Sequence, residues 1–179
     1  MQNELPCLFR PVEFRIKHAT LDWERRQAHS LRRAVFCEEQ GIFQGDDRDS
    51  IDDEAHLLVA LACVAGMPDT VAGTVRIHRD EHGRWWGSRL AVDLAFRRSG
   101  SLGAALIRLA VSSANAIGCD TFLAHVQSQN VPLFRKLRWE SLAEETLRDR
   151  PHHLMRADLA AYPPFHRMAD GFVAHARRS

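Results

Sequence analysis

The segment Leu90-Ala91-Val92-Asp93-Leu94-Ala95-Phe96-Arg97-Arg98-Ser99-Gly100-Ser101-Leu102-Gly103-Ala104-Ala105-Leu106-Ile107 constrains the chain more than any other. It reads as an apolar strand, a basic turn with two glycines, and then an amphipathic helix. Such a junction can hold a phosphate. The first turn of a helix has unpaired N–H groups and a partial positive charge. Glycine lets a phosphate approach the backbone, and arginine adds charge and donors. The plain alternative is a tight turn at Gly100 and Gly103 beside a solvated arginine surface. No Gly-Lys-Ser/Thr follows, so the ATP-type phosphate loop is absent. No short parallel βαβ unit with a well-placed acidic residue is evident, so the dinucleotide fingerprint is poor as well.

A chain of 179 residues is long enough for one domain with a real core. The pattern divides it into an N-terminal extension (1–11), a domain (12–161) and a C-terminal tail or peripheral helix (162–179). The formal charge of +1 gives no global field for nucleic acid or a membrane surface. No run of 18 apolar residues exists, and the first residues lack the basic and apolar regions of a secretory signal. Cys7, Cys37, Cys63 and Cys119 are scattered, in a spacing that fits neither a zinc site nor a disulfide framework. Reduced thiols, no metal and a cytoplasmic location are the expectation.

Val12–Ala19 alternates as a first strand, and Asp22 is placed to cap a long helix reaching about Gln40. Ala28, Leu31 and Val35 form the inner face of that helix, and Gly41 stops it. An acidic loop from Gln44 to Glu54 follows. Three strands with short connections come next, at Ala55–Ala65, Thr70–Arg79 and Arg84–Asp93. A helix over Gly100–Gly118 carries Leu102, Leu106, Leu109 and Ile117 on one stripe. Asp120–Gln127 reads as a buried strand and Asn130–Leu137 as a short helix. Arg138–Leu147 and His153–Leu159 form a closing hairpin. The order β-α-β-β-β-α-β-α-β-β predicts a mixed α+β fold. Its central sheet is mostly antiparallel and twisted, with one helical crossover between two parallel strands.

This order and the Leu90–Ile107 segment resemble the GNAT superfamily of N-acetyltransferases, over about Val12 to Leu159. The family's pyrophosphate loop reads Arg/Gln-x-x-Gly-x-Gly/Ala, a few residues after a Leu-x-Val strand. Leu90-Ala91-Val92 matches the strand, and Arg97-Arg98-Ser99-Gly100 matches the front of the loop. Leu102 then stands at the second glycine, and Gly103 comes one residue late, as in a loop longer by one. Asn130-Val131-Pro132-Leu133-Phe134-Arg135-Lys136-Leu137 is similar to the family's Asn-initiated helix. Leu31–Gln40 with Asp52-Asp53-Glu54 is similar to a subgroup carrying Arg-x-x-Val-Phe-x-x-Glu-Gln and a later acidic run, and acyl-homoserine-lactone synthases have a comparable first helix.

The resemblance implies acetyl-CoA as donor and direct attack by an amine of a small molecule. The third and fourth strands of the sheet would splay around the pantetheine arm. Leu90, Ala91 and Val92 would offer backbone partners, and a backbone N–H near Ala91 or Val92 would polarise the thioester carbonyl. The N–H groups of Ser101, Leu102, Gly103 and Ala104 would hold pyrophosphate, with Arg97, Arg98, Ser99 and Gly100 around it. Asn130 would bond the pantetheine, and Phe134 would stand beside it. Two family acid–base positions differ: the usual Tyr is Phe134 and the usual Glu is Ser88, and the single tyrosine, Tyr162, lies elsewhere. His125 is the first candidate base, since imidazole changes charge near neutrality. Glu39 is the second, weighed against a solvated helix-end carboxylate. His56, His152 and His153 rank lower, the last two in a surface turn. The acidic loop either attracts a cationic amine or, as the favoured reading, is solvated. Trp85 and Trp86 face opposite sides of a strand, so one can wall a pocket while the other lies under a helix, though core burial of both is commoner. Cys119 reads as a buried structural thiol. Two other readings stand beside the transferase. One is a synthase using S-adenosylmethionine, and the other is a CoA-binding module without chemistry. A homodimer is compatible with the sequence and not required by it.

Overall fold

The computed structural model describes residues 11–98 and 101–176, so Ser99, Gly100 and most of the N-terminal extension lie outside the described residues. Strand β1 (Glu13–His18) buries Phe14 and Ile16 completely. Helix α1 (Asp22–Arg32) starts not with an Asp22 cap but with Glu24. The Glu24 carboxylate accepts the N–H groups of Thr20 and Leu21 and also binds the buried Lys17 ammonium. Asp22 sits on the surface, paired with Arg25. The helix runs on through a π-helical stretch, Arg33–Glu39, so the long expected helix is continuous but its last turns are wide. Ala28, Leu31 and Val35 are buried, as the spacing requires.

Strands β2 (His56–Val64), β3 (Met67–Arg79) and β4 (Trp85–Val92) form the expected antiparallel meander. Helix α2 (Leu102–Ala116) crosses to β5 (Phe122–Gln127), which lies parallel to β4. A short helix, α3 (Val131–Lys136), leads into the hairpin of β6 (Trp139–Leu147) and β7 (Arg150–Ala157). Ile117 falls just past the end of α2 and is 60% exposed, so the buried stripe is completed by Ala105, Ala110 and Ala114 instead. His152 and His153 lie within β7 rather than in a turn, because the hairpin reverses earlier, at Arg148 and Asp149.

The segment after Tyr162, expected as a tail or peripheral helix, passes over α2 and then supplies a strand. Phe165 N–H bonds the Ser112 carbonyl, and β8 (Phe172–His175) pairs antiparallel with β1. The sheet order is β6-β7-β5-β4-β3-β2-β1-β8. One apolar core lies between the sheet and α2, and a second between the opposite face and α1. Among the described residues no helix is long and apolar enough to cross a membrane.

Two irregularities open the middle of the sheet. Strands β4 and β5 pair only at Trp85–Phe122 and Trp86–Leu123, then part. The splay therefore falls between the fourth and fifth strands in chain order, not the third and fourth. At the closed end a Cβ on Gly87 would come within 3.1 Å of the Phe122 ring, so the absence of a side chain there lets the ring lie across the junction. Further along, two residues of β4, Arg89 and Leu90, stand opposite the single Val75 of β3. Arg89 has φ 55, the left-handed geometry of a β-bulge. A bulge bends and twists its strand, which turns the C-terminal half of β4 away from β5.

Candidate active site

The parted strands open into a cavity of about 450 Å³ that reaches both faces of the sheet. On the α2 side its wall is apolar, with Ile107, Val111, Phe122, Phe134 and Trp139. On the α1 side it is aromatic and polar, with Phe36, Phe43, Trp86, His125 and His152. Leu90 and Asn130 stand on its border, on either side of the split.

At the end of β4 the ladder bond from Asp93 N–H to the Ala72 carbonyl sets the alternation. Val92, one residue earlier, turns its peptide groups away from β3 and towards the split. Its carbonyl accepts Arg97 Nε at 2.9 Å, which fits that orientation and leaves the N–H facing the opening. Ala91 is paired with Thr74. Val92 is thus the better placed of the two sequence candidates for a thioester-polarising donor.

Helix α2 begins with Ser101, whose side chain makes no cap. Ala105 N–H bonds back to the Ser101 carbonyl. The first-turn N–H groups before it, those of Leu102, Gly103 and Ala104, find no partner within a helix itself. The first turn contains no acidic residue. Leu102 is 2% exposed and anchors the turn in the core, which explains an apolar residue where a second glycine is expected. A Cβ on Gly103 would meet nothing within 4 Å. Among the described residues no atom requires glycine there. Arg98 is exposed. Arg97 is engaged: besides Val92 it donates two bonds to Glu39, at 2.6 and 2.7 Å. Glu39 is outside the cavity wall, and the Arg97 bonds hold its carboxyl below the usual range.

His125 lies on the α1 side, stacked on Trp86 with ring centres 5.1 Å apart. Its Nδ1 is 2.9 Å from Glu145 Oε2 on β6. This carboxylate fixes the tautomer with the proton on Nδ1, leaving Nε2 as the acceptor. Trp86 is itself fixed by a bond from Nε1 to Asp80. Trp85 points the other way into the core, so the tryptophan pair divides as one wall residue and one core residue. Tyr162 is buried, with its hydroxyl between Trp139 Nε1 and the Leu137 carbonyl, and it plays no part in the cavity. Ser88 accepts Arg76 Nε at 2.8 Å. His56 stacks on Trp85 and meets His18 edge-on, away from the cavity wall. Cys119 is buried, which pushes its thiol up to about 11 and keeps it unreactive.

The acidic loop is solvated only in part, at Asp46, Asp53 and Glu54. Asp47, Asp49 and Asp52 bind Arg32, Arg76 and Arg89 in a buried ionic network beneath the cavity. Arg32 and Asp47 have fully buried side chains, 2.7 Å apart. Burial pushes the Asp52 carboxyl up, but bonds from Arg32 and the Asp49 N–H outweigh it and hold it well below the usual range. These three aspartates are consumed by arginine, while Asp46, Asp53 and Glu54 remain on the exposed side of the loop. Among the described residues no cluster of metal-binding side chains occurs.

The family model of the acetyltransferase (GNAT) family matches residues 17–138. The chain belongs to the GNAT family. A Bacillus subtilis (strain 168) protein described as a candidate acetyltransferase is 29% identical over 146 residues, covering 78% of this chain and 93% of that one. A crystal structure described as a candidate N-acetyltransferase from Lactobacillus plantarum matches with a TM-score of 0.71 at 23% identity, covering 82% and 98% of the two chains. An acyl-CoA N-acyltransferase from Pseudomonas aeruginosa matches with a TM-score of 0.64 at 20% identity, covering 80% and 98%. These structures share the GNAT fold with the chain.

Proposed function

We propose that this GNAT protein takes the acetyl group from acetyl-CoA and passes it to the amine of a small molecule, using His125 as general base. One observation carries the reading: a parted β4–β5 pair leads to a carboxylate-oriented histidine, His125–Glu145, on the far face. The donor half fits the residues present. A helix first turn at Leu102, Gly103 and Ala104 with no acidic residue, and open space at Gly103, suit a pyrophosphate. Unpaired backbone along β4 and the Asn130 amide suit the amides of a pantetheine arm. Bound there, the donor supplies an activated acyl carbon.

The chain's own residues do the rest. The parted strands hold the two reactants together, which replaces a bimolecular encounter with a positioned one. Val92 N–H stabilises the charge that grows on the acyl oxygen. His125 Nε2 accepts the proton that the amine loses as the new C–N bond forms and the C–S bond breaks. The thiolate is reprotonated by the imidazolium through solvent, since Phe134 carries no acidic hydrogen and Tyr162 is buried elsewhere. The relatedness to an acyl-CoA N-acyltransferase fold supports this choice of donor.

The test is release of free thiol from acetyl-CoA across an amine panel, with S-adenosylmethionine as the comparison donor. Amine-dependent release is the expected result. Turnover or binding of S-adenosylmethionine alone would move the protein to the synthase class, and acetyl-CoA binding without turnover would leave a binding module.

A further inference from the structure

Arg148, at the tip of the β6–β7 hairpin, differs from the other arginines on the cavity wall. Arg76 and Arg89 are each bonded to carboxylates of the 47–52 loop. Arg148 has no carboxylate partner among the described residues; what it touches is the ring of Phe43, 4.1 Å from the guanidinium carbon to the ring centre. It is held in place all the same. Arg89 stacks on the same ring at 4.3 Å, and Arg150, two residues on, donates to the Gln40 carbonyl and ties the hairpin to the end of the first helix. Among the described residues of the cavity wall, Arg148 is therefore the arginine without a carboxylate partner, and its side chain is exposed at the hairpin tip.

The backbone gives a second, independent sign. Arg148 and Asp149 have φ of 48 and 59, the left-handed pair of a two-residue hairpin turn. Such turns favour Asn-Gly or Gly-Gly, because a Cβ resists this geometry. Folding alone would choose a smaller residue. Residues held in sparsely populated backbone regions cluster at binding sites, where the strain is retained for function. Glu145, three positions earlier on β6, orients His125, so the end of β6 carries the orienter of the base and leads directly into Arg148.

We propose that Arg148 binds the carboxylate of the acceptor, and that the acceptor is an α-amino acid rather than a simple amine. This rests on the acyl-transfer reading above. The amino group meets His125, the carboxylate meets the Arg148 guanidinium, and Phe36, Phe43 and Trp86 favour an aromatic side chain. Arginine suits the role because its planar fork matches a carboxylate with two parallel bonds.

Arg148→Gly tests it. Glycine accepts the left-handed backbone, so the variant melts no lower than the wild type. With acetyl-CoA as donor, phenylalanine is compared with phenylalaninamide and phenethylamine. The wild type prefers the acid at least tenfold in kcat/KM. In Arg148→Gly the KM for phenylalanine rises at least tenfold, kcat is kept, and the neutral amines are unaffected. Calorimetry with N-acetylphenylalanine reads the same site without turnover and loses its signal in the variant. Equal use of acid and amide by the wild type, or equal binding of N-acetylphenylalanine by both proteins, overturns the assignment. Absent turnover with binding that still depends on Arg148 would sink the acyl-transfer reading and keep the carboxylate site.

Discussion

His125→Ala lowers kcat by about 10²- to 10⁴-fold and leaves acetyl-CoA affinity unchanged. The magnitude is that of losing a positioned general base. The side chain is 39% exposed and packs on Trp86 at the cavity wall, so its removal alters stability by about 1 kcal/mol or less. Its Nδ1 bond to Glu145 predicts a graded series. Glu145→Gln keeps a bond acceptor for the ring but weakens the hold on its orientation, and costs kcat less than loss of the ring. Steady-state kinetics of the three proteins checks this order. An unchanged kcat in His125→Ala assigns the base to another group.

Asp47→Ala destabilises the fold by about 3–5 kcal/mol, the cost of stripping a partner from a buried charge. Asp47 Oδ2 binds Arg32 Nε at 2.7 Å and Arg89 Nε at 3.0 Å. Arg32 has no exposed surface, so water cannot replace the lost carboxylate. For a chain of this size that stability loss lowers Tm by about 10 °C. Asp53→Ala, an exposed neighbour in the same loop, changes stability by less than about 0.5 kcal/mol. Thermal melts of the pair separate a buried network from a solvated loop. The network also sets the acid limit. Bonds from Arg76 hold the Asp49 carboxyl below its usual range, and Asp52 is lower still. Groups with depressed folded-state values contribute stability that is fully present above the unfolded value of about 4 and is lost as pH falls through the folded values. The protein therefore holds at pH 5 and loses stability below about pH 4.

Much of the fold was legible because its signals are local. The meander shows as alternating apolar runs joined by short turns, and the crossover as a helical stripe between strands. The segments that carry the proposed donor site were legible as structure for the same reason: the strand ending at Val92, the helix starting at Leu102 and the short helix after Asn130 are each one continuous stretch. What escaped depends on pairing across the chain. Asp47 reaches Arg89 over 42 residues, and Asp49 reaches Arg76 over 27. In sequence these carboxylates are indistinguishable from a solvated run, and only the tertiary register buries them. Glu145 meets His125 only because β7 lies between their strands. The left-handed turn at Arg148 left no mark, since arginine and aspartate are not the residues that announce it. Strand β8 is 4 residues long and takes its identity from the exposed edge of β1, not from its own pattern.

The central claim is that an acyl-CoA donor lies at the start of α2, and one substitution isolates it. Gly103→Glu places a carboxylate where the pyrophosphate would sit. The site has open space for the new Cβ, and its φ is not in the left-handed region. A glutamate in the first turn of a helix is favourable by about 0.3–1 kcal/mol, so the variant folds at least as well as the wild type. The decisive measurement is calorimetric titration of acetyl-CoA into both proteins. The account predicts saturable binding to one site in the wild type and none in Gly103→Glu. Unchanged binding in the variant, or no binding to the wild type, would contradict it.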